Sequence, residues 1–149
     1  RCAATFRQTD FRGGCNGASI RLAPEKDWRV NVAMDQVLRI LGHVRAQFAT
    51  AAGALSWADL IVLAGNTALE EVGSPPMPFQ GGRVDATDGS RSDDLEPRED
   101  LNPILEVKDT MDLMGLTPHE MVALQARPRS PSQQRRLGYS GSWTTNCCE

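Results

Sequence analysis

The apolar positions between residues 32 and 48 recur at every third or fourth residue, which is the spacing of one face of an α-helix. Asn31 stands directly before this stripe and suits the N-cap position, because its side chain can accept a hydrogen bond from the first N–H groups of a helix. The pattern predicts a helix over 32–48. The apolar positions of the stripe are Met34, Val37, Leu38, Leu41, Val44 and Phe48.

A second apolar run, between residues 60 and 72, follows a helix start signal. Ser56 and Asp59 have the spacing of a capping box, with Asp in place of the usual Glu. Gly73 suits the C′ position that ends a helix, because glycine readily adopts the left-handed conformation. Since the run is apolar on most sides, it predicts a buried central helix. Its apolar residues are Leu60, Ile61, Val62, Leu63, Ala64, Ala68, Leu69 and Val72.

Prolines, glycines and acids interrupt the helical pattern over residues 73–104. Seven carboxylates lie between residues 85 and 100, among few apolar positions. A loop of this length in a compact domain is usually functional or covered by a partner. We therefore interpret the acidic loop as a candidate interaction segment.

Two short helices are predicted after this loop. The first covers residues 106–114 and ends at the glycine that follows. The second begins with Thr117 as N-cap, Pro118 at the first helical position and Glu120 at the third, and it ends before Pro128.

No alternation of period two persists along the chain, so strands are not expected. The pattern predicts an all-α fold with long loops, and 149 residues fit a single domain. This domain has five predicted parts: a Gly-rich loop segment (1–31), two core helices (32–72), the acidic loop (73–104), two short helices (105–127), and a basic loop with a tail (128–149).

Charge and hydropathy exclude several classes of function. The 19 acidic and 16 basic residues give a net charge of −3, which excludes a global basic field for nucleic acid. No apolar stretch approaches the roughly 18 residues of a membrane-spanning helix, although peripheral association with a membrane complex stays open. Gly13, Gly14 and Gly17 lack the preceding strand and the following Lys-Ser/Thr of a phosphate-binding loop, so nucleotide binding is not expected.

The four cysteines, Cys2, Cys15, Cys147 and Cys148, fit no zinc-binding spacing. We expect free thiols in a reducing compartment. Two alternatives stay open: a disulfide that ties the tail to Cys2 or Cys15, and a redox-active pair formed by Cys147 and Cys148.

The two histidines are scattered along the chain, so metal catalysis is not expected. His43 lies within the first predicted helix and His119 in the first turn of the last one. Both are expected at the surface.

A basic segment follows the last predicted helix. Residues 127–136 hold four arginines and no acid, and these arginines are candidates for solvent exposure or for contact with an acidic partner or an anionic headgroup. The four are Arg127, Arg129, Arg135 and Arg136.

Five blocks of sequence follow one another along the chain. They are a run from T-F-R to K-D-W within residues 5–28, S-W-A-D-L-I-V-L-A-G at 56–65, P-F-Q-G-G-R-V-D-A-T at 78–87, L-T-P-H-E-M at 116–121, and G-Y-S-G-S-W at 138–143. In this order they resemble the heme-peroxidase superfamily, and most closely the catalase-peroxidases. The last block is similar to a stretch of ascorbate peroxidases. The resemblance spans nearly the whole chain.

The resemblance implies a catalytic apparatus from which this sequence departs. Such a peroxidase takes a proximal histidine on its heme iron, a distal histidine as base and a distal arginine. The proximal histidine closes an A-L-x-G-G-H run, and the matching residues 123–128 put Pro128 in its place. The distal histidine position, four residues before Thr5, is Arg1, and the distal arginine would lie upstream of this chain.

This pattern resembles the C-terminal half of catalase-peroxidases, a duplicated domain that has lost its heme and acts as a scaffold. The resemblance therefore implies a non-catalytic, heme-free subunit with a structural role in a larger protein assembly, in which no residue is catalytic, cofactor-binding or metal-binding. The alternative is a heme-dependent peroxidase that reduces H₂O₂ and is completed by segments outside this chain. An organelle, either chloroplast or mitochondrion, is the favoured location, with the cytoplasm as the alternative.

Overall fold

Four α-helices form the frame of the chain, as a computed structural model shows for residues 5–48, 55–97 and 102–125. They are α1 (Met34–Phe48), α2 (Trp57–Glu71), α3 (Pro103–Met114) and α4 (Pro118–Gln125). These three ranges contain no β-strand, only isolated bridges between Arg7 and Arg12 and between Gly17 and Asp85. The predicted all-α class is therefore confirmed, whereas the five-part division stays a prediction.

The segment before α1 is an ordered series of turns, as its glycines predict. Three short 3₁₀ turns, Ser19–Arg21, Glu25–Asp27 and Arg29–Asn31, follow one another. Gly13 has φ of 70°, and a Cβ built on it would lie 2.0 Å from the carbonyl oxygen of Thr5. A side chain cannot fit there, so this glycine permits the close approach of two backbone segments.

The start of α1 differs from the prediction. The helix begins at Met34, and Asn31 is not its N-cap. Instead the buried Asn31 side chain donates from Nδ2 to the carbonyl oxygen of Glu25 at 2.7 Å. The Asn31 side chain is therefore used for a contact within the preceding turns, although its local propensity predicts a helix cap.

Both ends of α2 are where the sequence predicts them. Ser56 is the N-cap, and its Oγ accepts a hydrogen bond from the Asp59 N–H at 3.0 Å. At the other end the N–H of Gly73 donates to the carbonyl of Glu70, and the N–H of Ser74 to that of Leu69. With φ of 99° at Gly73, this is a Schellman ending.

Two details of α2 contradict the prediction. The Asp59 carboxylate does not complete a capping box with Ser56, because it binds a distant loop instead. Nor is α2 buried along its length: Ala58, Asp59 and Leu60 are buried, whereas Leu63 is 38% exposed. Its apolar surface has too few neighbours among the described residues to cover it.

The last two helices begin with local caps. α3 starts at Pro103, earlier than predicted, because Asn102 accepts a hydrogen bond from the Ile104 N–H at 3.0 Å. It ends at Gly115 with φ of 68°. In α4 the predicted capping box is complete: Thr117 N–H donates to Glu120 Oε2 at 2.8 Å, and Glu120 N–H to Thr117 Oγ1 at 3.3 Å.

The core of the described residues is small. Seven apolar side chains are buried, whereas fourteen large apolar side chains are exposed, including members of all four helices. No helix in the described ranges is long and apolar enough to cross a membrane. The buried residues are Ala18, Ile20, Trp28, Ala58, Leu60, Leu95 and Met121.

Candidate functional site

The positions singled out from the sequence lie outside the described residues, so the predictions about them stay predictions. They are the degenerate catalytic positions Arg1 and Pro128, the basic residues Arg127, Arg129, Arg135 and Arg136, and the thiols Cys147 and Cys148. The structure instead shows a polar junction, formed where the Gly-rich segment, the first turn of α2 and residues 79–95 meet.

The carboxylate of Asp85 caps the N-terminus of α2 from outside the helix. Its Oδ2 accepts from the Trp57 N–H and its Oδ1 from the Ala58 N–H, each at 2.9 Å. Ser56 Oγ satisfies the third N–H of this turn. A negative charge at a helix N-terminus is favourable because the first N–H groups have no partner within the helix. Asp85 thereby fixes the loop to α2.

A backbone bridge to Asp85 brings the Gly-rich segment to the N-terminus of α2. Gly17 forms a parallel bridge with Asp85, and the Ala86 N–H donates to the Gly17 carbonyl at 2.8 Å. The Arg21 guanidinium donates to the carbonyls of Ala18 at 3.2 Å and Ala86 at 3.4 Å. Three segments that are far apart in sequence therefore share one hydrogen-bonded junction.

A second buried carboxylate, that of Asp59, holds the glycine turn before Asp85. Its Oδ2 accepts from the Gly82 N–H at 2.7 Å, and its Oδ1 accepts from Arg83 Nη1 at 2.9 Å. The Asp59 side chain is 9% exposed. The hydrogen bond from Gly82, followed by those from Arg83, lowers the pKa of Asp59 below its ordinary value.

An indole ring lies between the junction and α1. The guanidinium carbons of Arg21 and Arg45 lie 5.6 and 5.5 Å from the centre of the Trp57 ring. Arg45 also donates from Nε to the Leu55 carbonyl at 2.7 Å. These cation–π contacts anchor Trp57 between the two arginines.

Glu25 is a buried acid that is hydrogen-bonded to the turn at residues 90–92. It is 2% exposed, and its Oε2 accepts from the hydroxyl of Ser92, 1% exposed, at 3.0 Å. Burial raises the pKa of Glu25 above its ordinary value, and the hydrogen bond from Ser92 opposes that rise. The pair ties the 3₁₀ turn Glu25–Asp27 to the turn Ser90–Ser92.

We expect Glu25→Gln to change the free energy of unfolding more favourably at pH 7 than at pH 4. A raised folded-state pKa means that ionisation costs stability as the pH rises above the unfolded value of 4.5. Glutamine keeps an oxygen acceptor for Ser92 and removes this cost. Urea unfolding of both proteins at the two pH values measures the effect, and an equal difference at both would contradict it.

The histidines do not fit the ligand of a heme iron. His43 in α1 and His119 in the first turn of α4 are both exposed. An axial histidine points into a heme pocket and has its other ring nitrogen held by a partner. Among the residues whose placement is described, no group of three His, Cys, Asp or Glu is arranged to hold a metal ion.

Cys15 is disulfide-bonded, and its partner lies outside the described residues. The expectation of free thiols is therefore wrong for this cysteine. Cysteines stay as reduced thiols in reducing compartments, whereas a disulfide is typical of an oxidising one.

Because Cys15 engages a second cysteine, we expect at most two of the four cysteines to react with a thiol reagent in the unfolded, unreduced chain. All four should react after reduction. Titration with a chromogenic disulfide reagent in denaturant gives the count, and four reactive thiols before reduction would contradict the disulfide.

Comparison with known proteins gives the origin of this arrangement. The sequence model of the family described as Peroxidase matches residues 2–128. The chain belongs to the peroxidase family. Three curated relatives named catalase-peroxidase are similar to it: one from Blumeria hordei is 39% identical over 82% of this chain, one from Pyrenophora tritici-repentis 45% over 70%, and one from Leptospira biflexa 38% over 96%. The chain spans only 20%, 14% and 22% of their respective lengths.

Family membership explains why the junction forms where it does. In this peroxidase-family chain, the blocks within residues 5–28, 56–65 and 78–87 carried the resemblance, and these three blocks meet at Gly17, Asp85 and the first turn of α2. In this chain, residues of the three motifs therefore hold three distant segments together.

Sequence reasoning missed the polar residues of this junction. Asp59 was assigned to a local capping box, and Asp85 and Arg83 were seen only as parts of a motif. Glu25 carried no signal of burial, since it stands between a proline and a lysine. The available signals were the Ser-x-x-Asp pattern at the start of α2 and the G-R-x-D run at 82–85. Nothing local in the sequence shows that the partners of these aspartates lie 23 to 28 residues away.

Proposed function

We propose that this chain is a non-catalytic peroxidase-like subunit that binds no heme and has a structural role in a larger protein assembly. Its histidines carry this proposal. The chain has two, both exposed, and the position that matches the proximal ligand of the family is Pro128. Proline offers iron no lone pair, so the iron-histidine bond of a heme peroxidase has no donor at that position.

The exposed apolar surface supports the assembly part of the proposal. Large apolar side chains on two helices are more than half exposed: Ile40 and Phe48 of α1, and Ile104 and Leu105 of α3. On α4, Val122 and Leu124 are 43% and 45% exposed. Large exposed apolar surface is more typical of a protein that interacts with others than of a free monomer. A subunit that such a surface joins to other proteins would bury these faces.

The native size of the protein tests this role. The chain, tagged in its own organism and gently extracted, should migrate entirely in a complex larger than 16.3 kDa, and the complex should lose its integrity when the chain is depleted. A stable native monomer would contradict the proposal.

The alternative proposal is a heme-dependent peroxidase completed by segments outside this chain. The relatives named catalase-peroxidase support it. Their similarity to this chain covers only about a fifth of their length, so most of each relative corresponds to sequence outside this chain. A peroxide-dependent oxidation assay on the native assembly separates the two proposals. Activity that depends on a heme held against this chain would support the alternative.

We also propose an organellar location for the assembly. The disulfide at Cys15 supports a compartment other than the reducing cytoplasm. Fractionation of cells with an antibody against this chain tests the location, and recovery in the cytoplasmic fraction alone would contradict it.

A further inference from the structure

An open cavity of about 240 Å³ lies beside the polar junction, between the Gly-rich segment and residues 84–92. Phe11 and Val84 contribute apolar surface to its wall, and Asn16, Ser19 and Arg91 contribute polar groups. A cavity of about 150 Å³ is large enough for benzene, so a single aromatic ring with a small substituent fits this volume.

Phe11, in the wall of this cavity, has a strained backbone conformation. It is 71% exposed and has φ of 56°, in the left-handed region that bulky residues rarely adopt. The centre of its ring lies 6.4 Å from that of the Phe6 ring, within the range of an aromatic pair. Strained conformations of this kind concentrate at binding sites, where position matters more than local stability. Val84, which is 74% exposed, adds a second apolar group to the wall.

Among the polar residues that line the cavity, Arg91 has a positive charge with no ion-pair partner in the described part of the chain. Both carboxylate oxygens of Asp85 are engaged by α2, and Asn16 accepts from the Val84 N–H at 3.4 Å. Within the described part of the chain, Arg91 is the cation of this wall, and no carboxylate there forms an ion pair with it. A guanidinium next to apolar surface is suited to bind a carboxylate whose remainder is apolar.

We propose that this cavity binds a small monocyclic aromatic carboxylate. The ring lies against Phe11 and Val84, and the carboxylate accepts hydrogen bonds from the Arg91 guanidinium. The proposal does not depend on the proposed scaffold role, because every residue it uses is within the described ranges.

Titration of the full chain with benzoate tests the proposal, with chemical shifts of the backbone amides around residues 84–92 as the readout. We expect saturable binding, with benzamide at least about tenfold weaker because it lacks the charge that Arg91 recognises. Arg91→Gln should weaken benzoate binding by a similar factor, whereas Phe11→Ala should weaken benzoate and benzamide alike.

Arg39→Gln is the matched control, because it removes one exposed arginine from α1, remote from this wall in sequence. It should leave benzoate binding unchanged. Circular dichroism of each variant shows whether the fold is kept, and Arg91→Gln should keep it, since the contact made by this residue in the loop uses its backbone carbonyl. No saturation by benzoate, equal binding of benzamide, or equal losses in Arg91→Gln and Arg39→Gln would overturn the proposal.

Discussion

Asp85→Ala should lower the free energy of unfolding by about 3 kcal/mol, because one carboxylate accepts two backbone hydrogen bonds at the N-terminus of α2. Removing it leaves the N–H groups of Trp57 and Ala58 without acceptors and releases the loop from the helix. The same change weakens the bridge to Gly17, which connects the Gly-rich segment to this loop. Urea unfolding followed by far-UV circular dichroism measures the loss.

Two further variants isolate the cause. Asp85→Asn keeps one oxygen acceptor without the charge, so it should lose less stability than Asp85→Ala. Asp93→Ala removes an exposed acid from the same loop and should change stability by no more than about 0.5 kcal/mol. Equal losses in Asp85→Ala and Asp93→Ala would show that the loop responds to any lost acid and that the cap contributes nothing of its own.

Asp59→Asn should lower the melting temperature by about 5 °C at pH 7, because it disturbs the hydrogen bonds from Gly82 and Arg83. The amide still fits the space but offers one oxygen instead of two, and it leaves the Arg83 guanidinium without its ion pair. Thermal unfolding measured by circular dichroism gives the shift.

The pH dependence identifies the carboxylate as the cause. The hydrogen bond from Gly82, followed by those from Arg83, lowers the folded-state pKa of Asp59, so its contribution is present above the unfolded value of 3.8 and is lost as the pH falls through the folded value. The difference between wild type and Asp59→Asn should therefore shrink on acidification. Asp35→Asn, which breaks the exposed contact with Arg39, should change the melting temperature by less than about 1 °C. A difference that stays constant down to acidic pH would contradict this role of Asp59.

Helix boundaries could be predicted where their determinants are local. Ser56 caps α2, Gly73 ends it, and Thr117 and Glu120 form a capping box, as their spacing predicts. Asn102 followed by Pro103 carried an equally local start signal for α3, which the loop-like composition before it obscured. These signals act within one helical turn, so tertiary contacts change them little.

The remaining features depend on contacts between distant residues. Asn31 suits an N-cap by propensity, but Glu25 holds its side chain in a turn. Asp59 has the spacing of a capping box, but its carboxylate accepts hydrogen bonds from Gly82 and Arg83 instead. The apolar pattern of α2 predicts burial, but only its first turn finds neighbours among the described residues. Periodicity shows which surface of a helix is apolar and cannot show what covers it.

The candidate site also combines features that the sequence could predict with features that depend on contacts between distant residues. Family resemblance led to the blocks that form the junction, and the comparisons confirm the family. The resemblance could not show that Asp85 and Asp59 act as carboxylate anchors for two different segments, because each needs its partner in place. The strained Phe11 and the uncommitted Arg91 beside it appear only once the backbone has been folded.

The heme content of the native assembly tests the central claim most directly. The chain should be purified with its partners and quantified against heme by the pyridine hemochromogen spectrum, alongside a preparation that carries His43→Ala and His119→Ala. The proposal predicts no heme attributable to this chain and identical spectra in the two preparations. One heme per chain, with a histidine-ligated Soret band that the double variant loses, would contradict it.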